Sequence, residues 1–253
     1  MTTTPLTEDN PPRASVLAES LRAFGYDLGT AIADLVDNSV SAGAHNVWID
    51  FRWEGADSSI SITDDGAGMS EARLRDAMRL GSRHPGEKRG AHDLGRFGLG
   101  LKTSSFSQCR CLTVRTKEKG RPPVIRRWDL DHLARVDQWQ VLLEAKPDSE
   151  KHFSRLENLT SGTCVLWQSM DRVVRGFEAD RSGDRDLFLT RCEEVDRHLA
   201  LVFHRMLENQ ARLKLFVNQH EVRPVDPFFI SENTQELPVR HLHTQSGNVV
   251  VEP

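Results

Sequence analysis

The sequence has little cysteine, no long apolar run and almost no excess of one charge. Its four cysteines, Cys109, Cys111, Cys164 and Cys192, form no C-x-x-C pair, which argues against a structural zinc site. Their scarcity fits a reducing compartment, and a cytoplasmic protein is expected. No stretch approaches the ~20 apolar residues of a membrane span, so no membrane partner is expected. The opening MTTTPLTEDNPPRAS has no apolar core of the kind a secretory signal needs. A net charge of −4 excludes a strong global basic field for nucleic acid. Internal repeats and low-complexity tracts are absent as well. What is present is a 38% apolar chain of 253 residues, enough for one large domain, or one domain plus part of another.

Periodicity places the elements. SVLAESLRAF and DLGTAIADLVDNSVSA read as helices, the second with Leu28, Ile32, Leu35 and Val36 on one side and Gly43 at its end. NVWIDFRW and SSISIT alternate apolar and polar residues with period two, so both read as strands. SEARLRDAMRL is a helix with Ser70 as its N-cap. GSRHPGEKRGAHDLGRFGLG is rich in Gly and charge and reads as a long loop, a type that is usually functional inside a compact domain. LGLKTSSFSQ resumes a helix. RCLTVRTK, PVIRRWDL, QWQVLLEA and TCVLWQSM read as strands, DRDLFLTRCEEVDRHLALVFHRML as a long helix, and RLKLFVNQHEV as strand again. Helices and strands are grouped rather than alternating. The expected class is α+β, a two-layer α/β sandwich with a mixed, mainly antiparallel sheet and helices on one face. Residues 1–12 are expected to be a mobile tail. The closing SGNVVVEP starts a strand at Val249 to Val251, as a truncated second region or a closing strand would.

Three short motifs carry the chemistry. In DLVDN, Asp34 and Asn38 lie four residues apart on one helical face. A carboxylate there can order or deprotonate a water, and an amide oxygen can ligate magnesium, although helices commonly hold Asp and Asn for neither purpose. DDGAGM, from Asp64 to Met69, is a turn directly after a strand. GRFGLG, from Gly95 to Gly100, opens a helix, where backbone N–H groups and the helix dipole favour a phosphate. The spacing is not the Rossmann fingerprint, and alone it equally describes a sharp turn. Lys102 lies just inside that helix; it would add charge to a phosphate site, or is an ordinary solvated lysine.

In this order the motifs resemble the GHKL ATPase superfamily, whose Bergerat nucleotide-binding fold includes type II topoisomerase, MutL, heat-shock-ninety, MORC and histidine-kinase ATPase domains. The resemblance covers DLVDNSVSAGA, DDGAGM, GRFGLGLKTSS and SGTCVLW, and is nearest the MORC-like and chaperone-like branches. It implies ATP and Mg2+ as ligands. Asn38 would ligate the magnesium, and Asp64 would accept a hydrogen bond from the adenine amine. Gly66 and Gly68 would let the backbone pass close to the base, and Met69 would line the adenine pocket. Gly98, Leu99 and Gly100 would face the phosphates, with Gly95 as hinge of a lid at 81–97. Thr163 would reach the adenine beside Asp64. The resemblance also divides the chain into an ATP-binding domain at 13–172 and a region at 173–253 leading into a transducer-like domain.

Two departures matter. Many hydrolysing members carry Glu where this chain has Asp34, one methylene shorter, and Ser41 replaces a common acid. Asp34 is the expected catalytic base, with slow turnover. No basic residue from a second domain is assignable beyond a guess at Lys214. The expected function is a Mg-dependent ATPase that closes a lid, dimerises and clamps DNA or a protein client. The alternatives are a nucleotide sensor without turnover, or a histidine-kinase-type phosphotransferase, which would need an upstream phosphoacceptor helix. Local basic segments, SRHPGEKRGAH and VIRRW, are the candidate DNA contacts.

Overall fold

The computed structural model describes residues 7–23, 25–81, 100–208 and 212–227, and the strands at 240–244 and 247–251. Within them, α1 (Ala14–Leu21), α2 (Leu28–Ser41), α3 (Glu71–Met78), α4 (Gly100–Phe106), α5 (Leu130–Val136), α6 (Ser154–Asn158), α7 (Ser182–Val202) and α8 (His204–Glu208) surround one main sheet. Its strands are β1 (Asn46–Arg52), β2 (Ser59–Asp64), β3 (Cys111–Lys117), β4 (Val124–Asp129), β5 (Gly162–Gln168), β6 (Lys214–Val217) and β7 (His220–Glu221). They run in the order β4-β3-β5-β2-β1-β6-β7. Every pairing is antiparallel except β1 with β6, which is parallel. This is the mixed, mainly antiparallel α+β architecture of the Bergerat fold.

Local chemistry accounts for the helix starts. Asp27 caps α2 by accepting from the Thr30 N–H at 2.8 Å, and Ser70 caps α3 by accepting from the Arg73 N–H at 3.3 Å. The apolar stripe of α2 is buried at Ile32, Leu35 and Val36, with Leu28 half-buried. It packs with Ile49, Ile60, Ile62 and Trp167 from the facing strands. Each large side chain removed from water in this way contributes about 1.5–3 kcal/mol. The other sheet face carries a smaller cluster, Phe153 and Leu156 against Cys164 and Leu166. β2 is therefore buried along its whole length, polar residues included.

Two readings need refinement. QWQVLLEA is not a strand: it meets edge strand β4 only at the Arg127–Leu142 bridge, and Leu143 is 67% exposed. The helix α5, directly after β4, diverts the chain; Asp129 caps it by accepting from the N–H groups of Asp131 and His132. The long helix is interrupted at Phe203 into α7 and α8. After residue 172, α7, β6 and β7 belong to the main sheet and its core. β8 (Arg240–Thr244) and β9 (Gly247–Val251) pair antiparallel as a sheet of their own, and β9 contains the strand expected at Val249 to Val251. No helix among the described residues is long and apolar enough to cross a membrane.

Candidate active site

A cavity of about 300 Å³ opens between α2, the turn after β2, α3, and the start of α4. Its size suits a ligand of nucleotide-base dimensions. Of the residues singled out in the sequence, Asn38, Asp64, Gly68, Met69, Gly100, Lys102 and Thr163 line it. Gly95, Gly98 and Leu99, with nearly all of the expected lid, lie outside the described residues, as does the whole of SRHPGEKRGAH.

Asp64 ends β2 and is 5% exposed. One carboxylate oxygen accepts from the Gly66 N–H at 2.9 Å, and the other lies 3.1 Å from the Ser39 hydroxyl. Burial pushes its pKa up to about 6, against the lowering effect of bonds from Gly66, Ser39 and Thr163; the neighbouring Asp65 charge adds to the rise. At neutral pH the group is mainly a carboxylate, buried and ready to accept a further donor. Asp65 faces elsewhere, accepting from the His45 and Asn46 N–H groups and the Asn46 amide.

The register of the sheet places Thr163 opposite Asp64 and Thr116 opposite Thr163. Thr116, unmarked in the sequence, is a fully buried hub. Its hydroxyl accepts from the Met69 N–H at 3.0 Å and lies 2.9 Å from both the Gly162 carbonyl and the Thr163 hydroxyl. If Thr116 donates to Gly162, its two lone pairs take Met69 and Thr163. The Thr163 oxygen then keeps acceptor capacity for the cavity. Ser39 was likewise missed, although it neighbours Asn38; the pairing with Asp64 is a tertiary contact.

Glycine is required at two points of this wall. Gly68 has φ +70°, and a Cβ there would sit 1.9 Å from the Lys117 carbonyl oxygen. Gly162 has φ +150°, and a Cβ would sit 2.1 Å from the Asp64 carbonyl oxygen. Both positions need the absent side chain.

Asn38 is exposed at the cavity rim, and its amide has no hydrogen-bond partner among the described residues. Asp34 does not line the cavity, but its Oδ2 would lie 3.8 Å from a Cβ built on Gly100. Asp37 is half-buried, and burial with the Asp34 charge raises its pKa. Lys102 is not a solvated lysine: it is 1% exposed and its Nζ donates to the Ala77 carbonyl at 2.8 Å. That carbonyl lies in the last turn of α3, where a helix end favours a cation. Burial lowers the Lys102 pKa to about 8. Lys214 pairs with Asn46 at the start of β6 and does not line the cavity. VIRRW does not form a free basic face, because Arg126 pairs with Glu71 at 2.7 Å and Arg127 is 8% exposed. All four cysteines are buried free thiols.

A family model described as histidine kinase-, DNA gyrase B- and HSP90-like ATPase matches residues 26–163. ATPase morc-1 of Caenorhabditis elegans is 34% identical over 91 residues, 36% of this chain and 10% of that protein. A solved structure described as the N-terminal domain of a DNA repair protein aligns with a TM-score of 0.48 and 20% identity, over 79% of this chain and 50% of that one. The chain thus spans a small part of the curated relative and half of the solved chain.

Proposed function

This chain belongs to the histidine kinase-, DNA gyrase B- and HSP90-like ATPase family, and on that premise we propose that its cavity binds ATP with magnesium and hydrolyses it slowly. The observation that carries this reading is the buried Asp64 carboxylate on the cavity wall, held by Gly66 and Ser39 and flanked by Thr163. It offers an acceptor to the exocyclic amine of adenine, where guanine would present an oxygen. Gly66 and Gly68 bring the backbone close to the base, and Met69 packs beside it. By the family resemblance Gly98, Leu99 and Gly100 would face the phosphates and Gly95 would be the lid hinge, while Lys102 supplies a positive charge within the same cavity.

The donor set fits magnesium. This ion keeps several waters and takes few protein ligands, the rest coming from phosphates. Asn38, exposed at the rim with its amide oxygen available, would be that ligand. When bound, the ion neutralises phosphate charge. Asp34, one helical turn before Asn38 on α2, orients the attacking water and takes its proton. The shorter side chain makes its placement exacting, since a misplacement of about 1 Å costs on the order of a hundredfold in rate.

We further propose that the domain works as an ATP-dependent clamp that dimerises around DNA or a protein client, with residues 173–253 leading into a transducer-like region. The 34% identity to ATPase morc-1 over 91 residues supports the MORC-like branch. A nucleotide sensor without turnover is the second reading, favoured by Asp34 in place of Glu. A phosphotransferase of the histidine-kinase type is the third. The deciding experiment measures magnesium-dependent ATP turnover in the intact chain and in Asp34→Ala, beside binding of a non-hydrolysable ATP analogue. Turnover lost with binding retained supports the ATPase; binding without turnover in either protein supports the sensor.

A further inference from the structure

A second cavity, of about 540 Å³, shares no lining residue with the first. Its walls are the link before α2, the first turn of α2, the residues just after α4, Arg172 and one face of α7. On α7, Arg191, Glu194, Val195 and His198 recur at the three- and four-residue spacing of a single helical face. The floor between α2 and α7 is tight: a Cβ on Gly29 would sit 2.9 Å from the His198 ring.

Two arginines from different elements line this cavity. Arg172 is anchored twice. The preceding Asp171 carboxylate pairs with buried Arg22, and Arg172 Nη1 donates to the Arg22 carbonyl. Arg191 is half-buried on a helix fixed by buried Phe188, Cys192 and Val195, and its guanidinium has no ion pair or hydrogen bond among the described residues. Of the two acids in the lining, Asp27 is engaged: its two oxygens accept from the Thr30 N–H and hydroxyl at 2.8 and 2.7 Å, and its charge faces the N-terminus of α2. Glu194 is exposed. Gln108 adds a buried polar group at 4% exposure. Its amide nitrogen donates to the Tyr26 carbonyl and the Ser107 hydroxyl, both at 2.9 Å, which turns its amide oxygen away from both and leaves it without a donor among the described residues.

We infer that this cavity binds a small organic oxyanion, a phosphomonoester or a carboxylate. Its charged end lies on Arg172 and Arg191, and a hydroxyl or amine of its organic body donates to Gln108 Oε1. Guanidinium groups present forked N–H donors that match the oxygens of carboxylate and phosphate. The volume falls in the range of small-molecule sites and exceeds what a single inorganic ion fills, so the ligand carries a body. Glu194, one turn from Arg191, limits the negative charge the site accepts. The inference is independent of what the first cavity binds.

The test titrates ribose 5-phosphate and succinate into the full chain by calorimetry, with inorganic phosphate as the control without an organic body. One of the two organic probes is expected to bind saturably, with a dissociation constant in the millimolar range or below, and the probe that binds identifies the oxyanion. Arg191→Ala and Arg172→Ala are each expected to weaken it about tenfold or more, as the loss of a charge-assisted hydrogen bond does. Arg191→Ala, on the surface of α7, keeps the native thermal midpoint. Arg191→Lys retains the charge but not the fork and gives a smaller loss. Glu194→Gln strengthens binding about threefold, a gain that a destabilised protein would not show. Lys102→Met leaves binding within about twofold, because Lys102 lines the other cavity. No saturable binding of either organic probe overturns the site. Binding that Lys102→Met abolishes and the arginine variants leave unchanged places the probe in the first cavity and overturns it as well. Equal affinity for inorganic phosphate overturns the organic ligand.

Discussion

At the scale of single residues, the buried acid of the cavity governs the response to pH. The Asp64 pKa of about 6 lies above the ordinary carboxyl value of 3.8, so the folded state binds the proton more tightly than the unfolded. Its contribution to stability is fully present below about pH 4 and is lost as pH rises through about 6, at a total of about 3 kcal/mol. Adenine binding requires the opposite form, the carboxylate. Nucleotide affinity is therefore expected to hold above pH 7 and to fall towards tenfold per unit below about pH 6, with about half a proton released on binding at that pH. Calorimetry in two buffers of different ionisation enthalpy measures both. Lys102 makes the complementary case. Its charge is held below its ordinary pKa by burial, at about 8. Lys102→Met is expected to weaken ATP binding about tenfold and adenosine binding little, without loss of thermal midpoint, because the buried charge is costly. Equal losses for both ligands would remove it from the phosphate end.

At the scale of elements, the site depends on a turn clamped between strands. Gly68→Ala forces a side chain onto the Lys117 carbonyl in a left-handed backbone. The conformation alone costs roughly 1–2 kcal/mol, and the clash adds to it. Urea unfolding is expected to show a loss of at least about 2 kcal/mol, together with weaker nucleotide binding. Thr116→Val tests the hub below it. The change leaves the Met69 N–H without its side-chain acceptor, a loss of about 1–3 kcal/mol. Thr116→Ser retains the oxygen and should recover most of the stability. If Val behaves as Ser does, the hydroxyl is not what ties the turn to the sheet.

At the scale of the whole molecule, ligand linkage reports the nucleotide site independently of turnover. ATP with magnesium at 100 times its dissociation constant is expected to stabilise the fold by about 2.7 kcal/mol. Chelating the metal should shrink this effect for ATP and leave the effect of adenosine unchanged. An ATP shift that chelation leaves undiminished would argue against the role of Asn38 at the rim. The same scale bears on the clamp: nucleotide-dependent size in solution supports dimerisation, and steep salt dependence of DNA binding supports phosphate contact. With Arg126 paired to Glu71 and Arg127 buried, that contact would not come from the VIRRW strand.

The sequence by itself determined the class, most elements and the order of the motifs, because hydrophobic period and cap chemistry are local properties. The Ser70 cap, the α2 stripe and the alternation of β1 were legible for that reason. Asp64, Gly68 and Thr163 were legible through their motifs, and the fold brings them to one cavity. Tertiary structure alone decided what surrounds them. Thr116 and Ser39 became part of the site through strand register and helix packing, which join residues far apart in the chain. Burial turned Lys102 from a surface charge into a lysine held on the end of α3, and α5 left QWQVLLEA with a single bridge instead of a ladder. Hydrophobic period cannot report these outcomes, since each depends on which neighbour arrives from a distant segment and how much water it displaces.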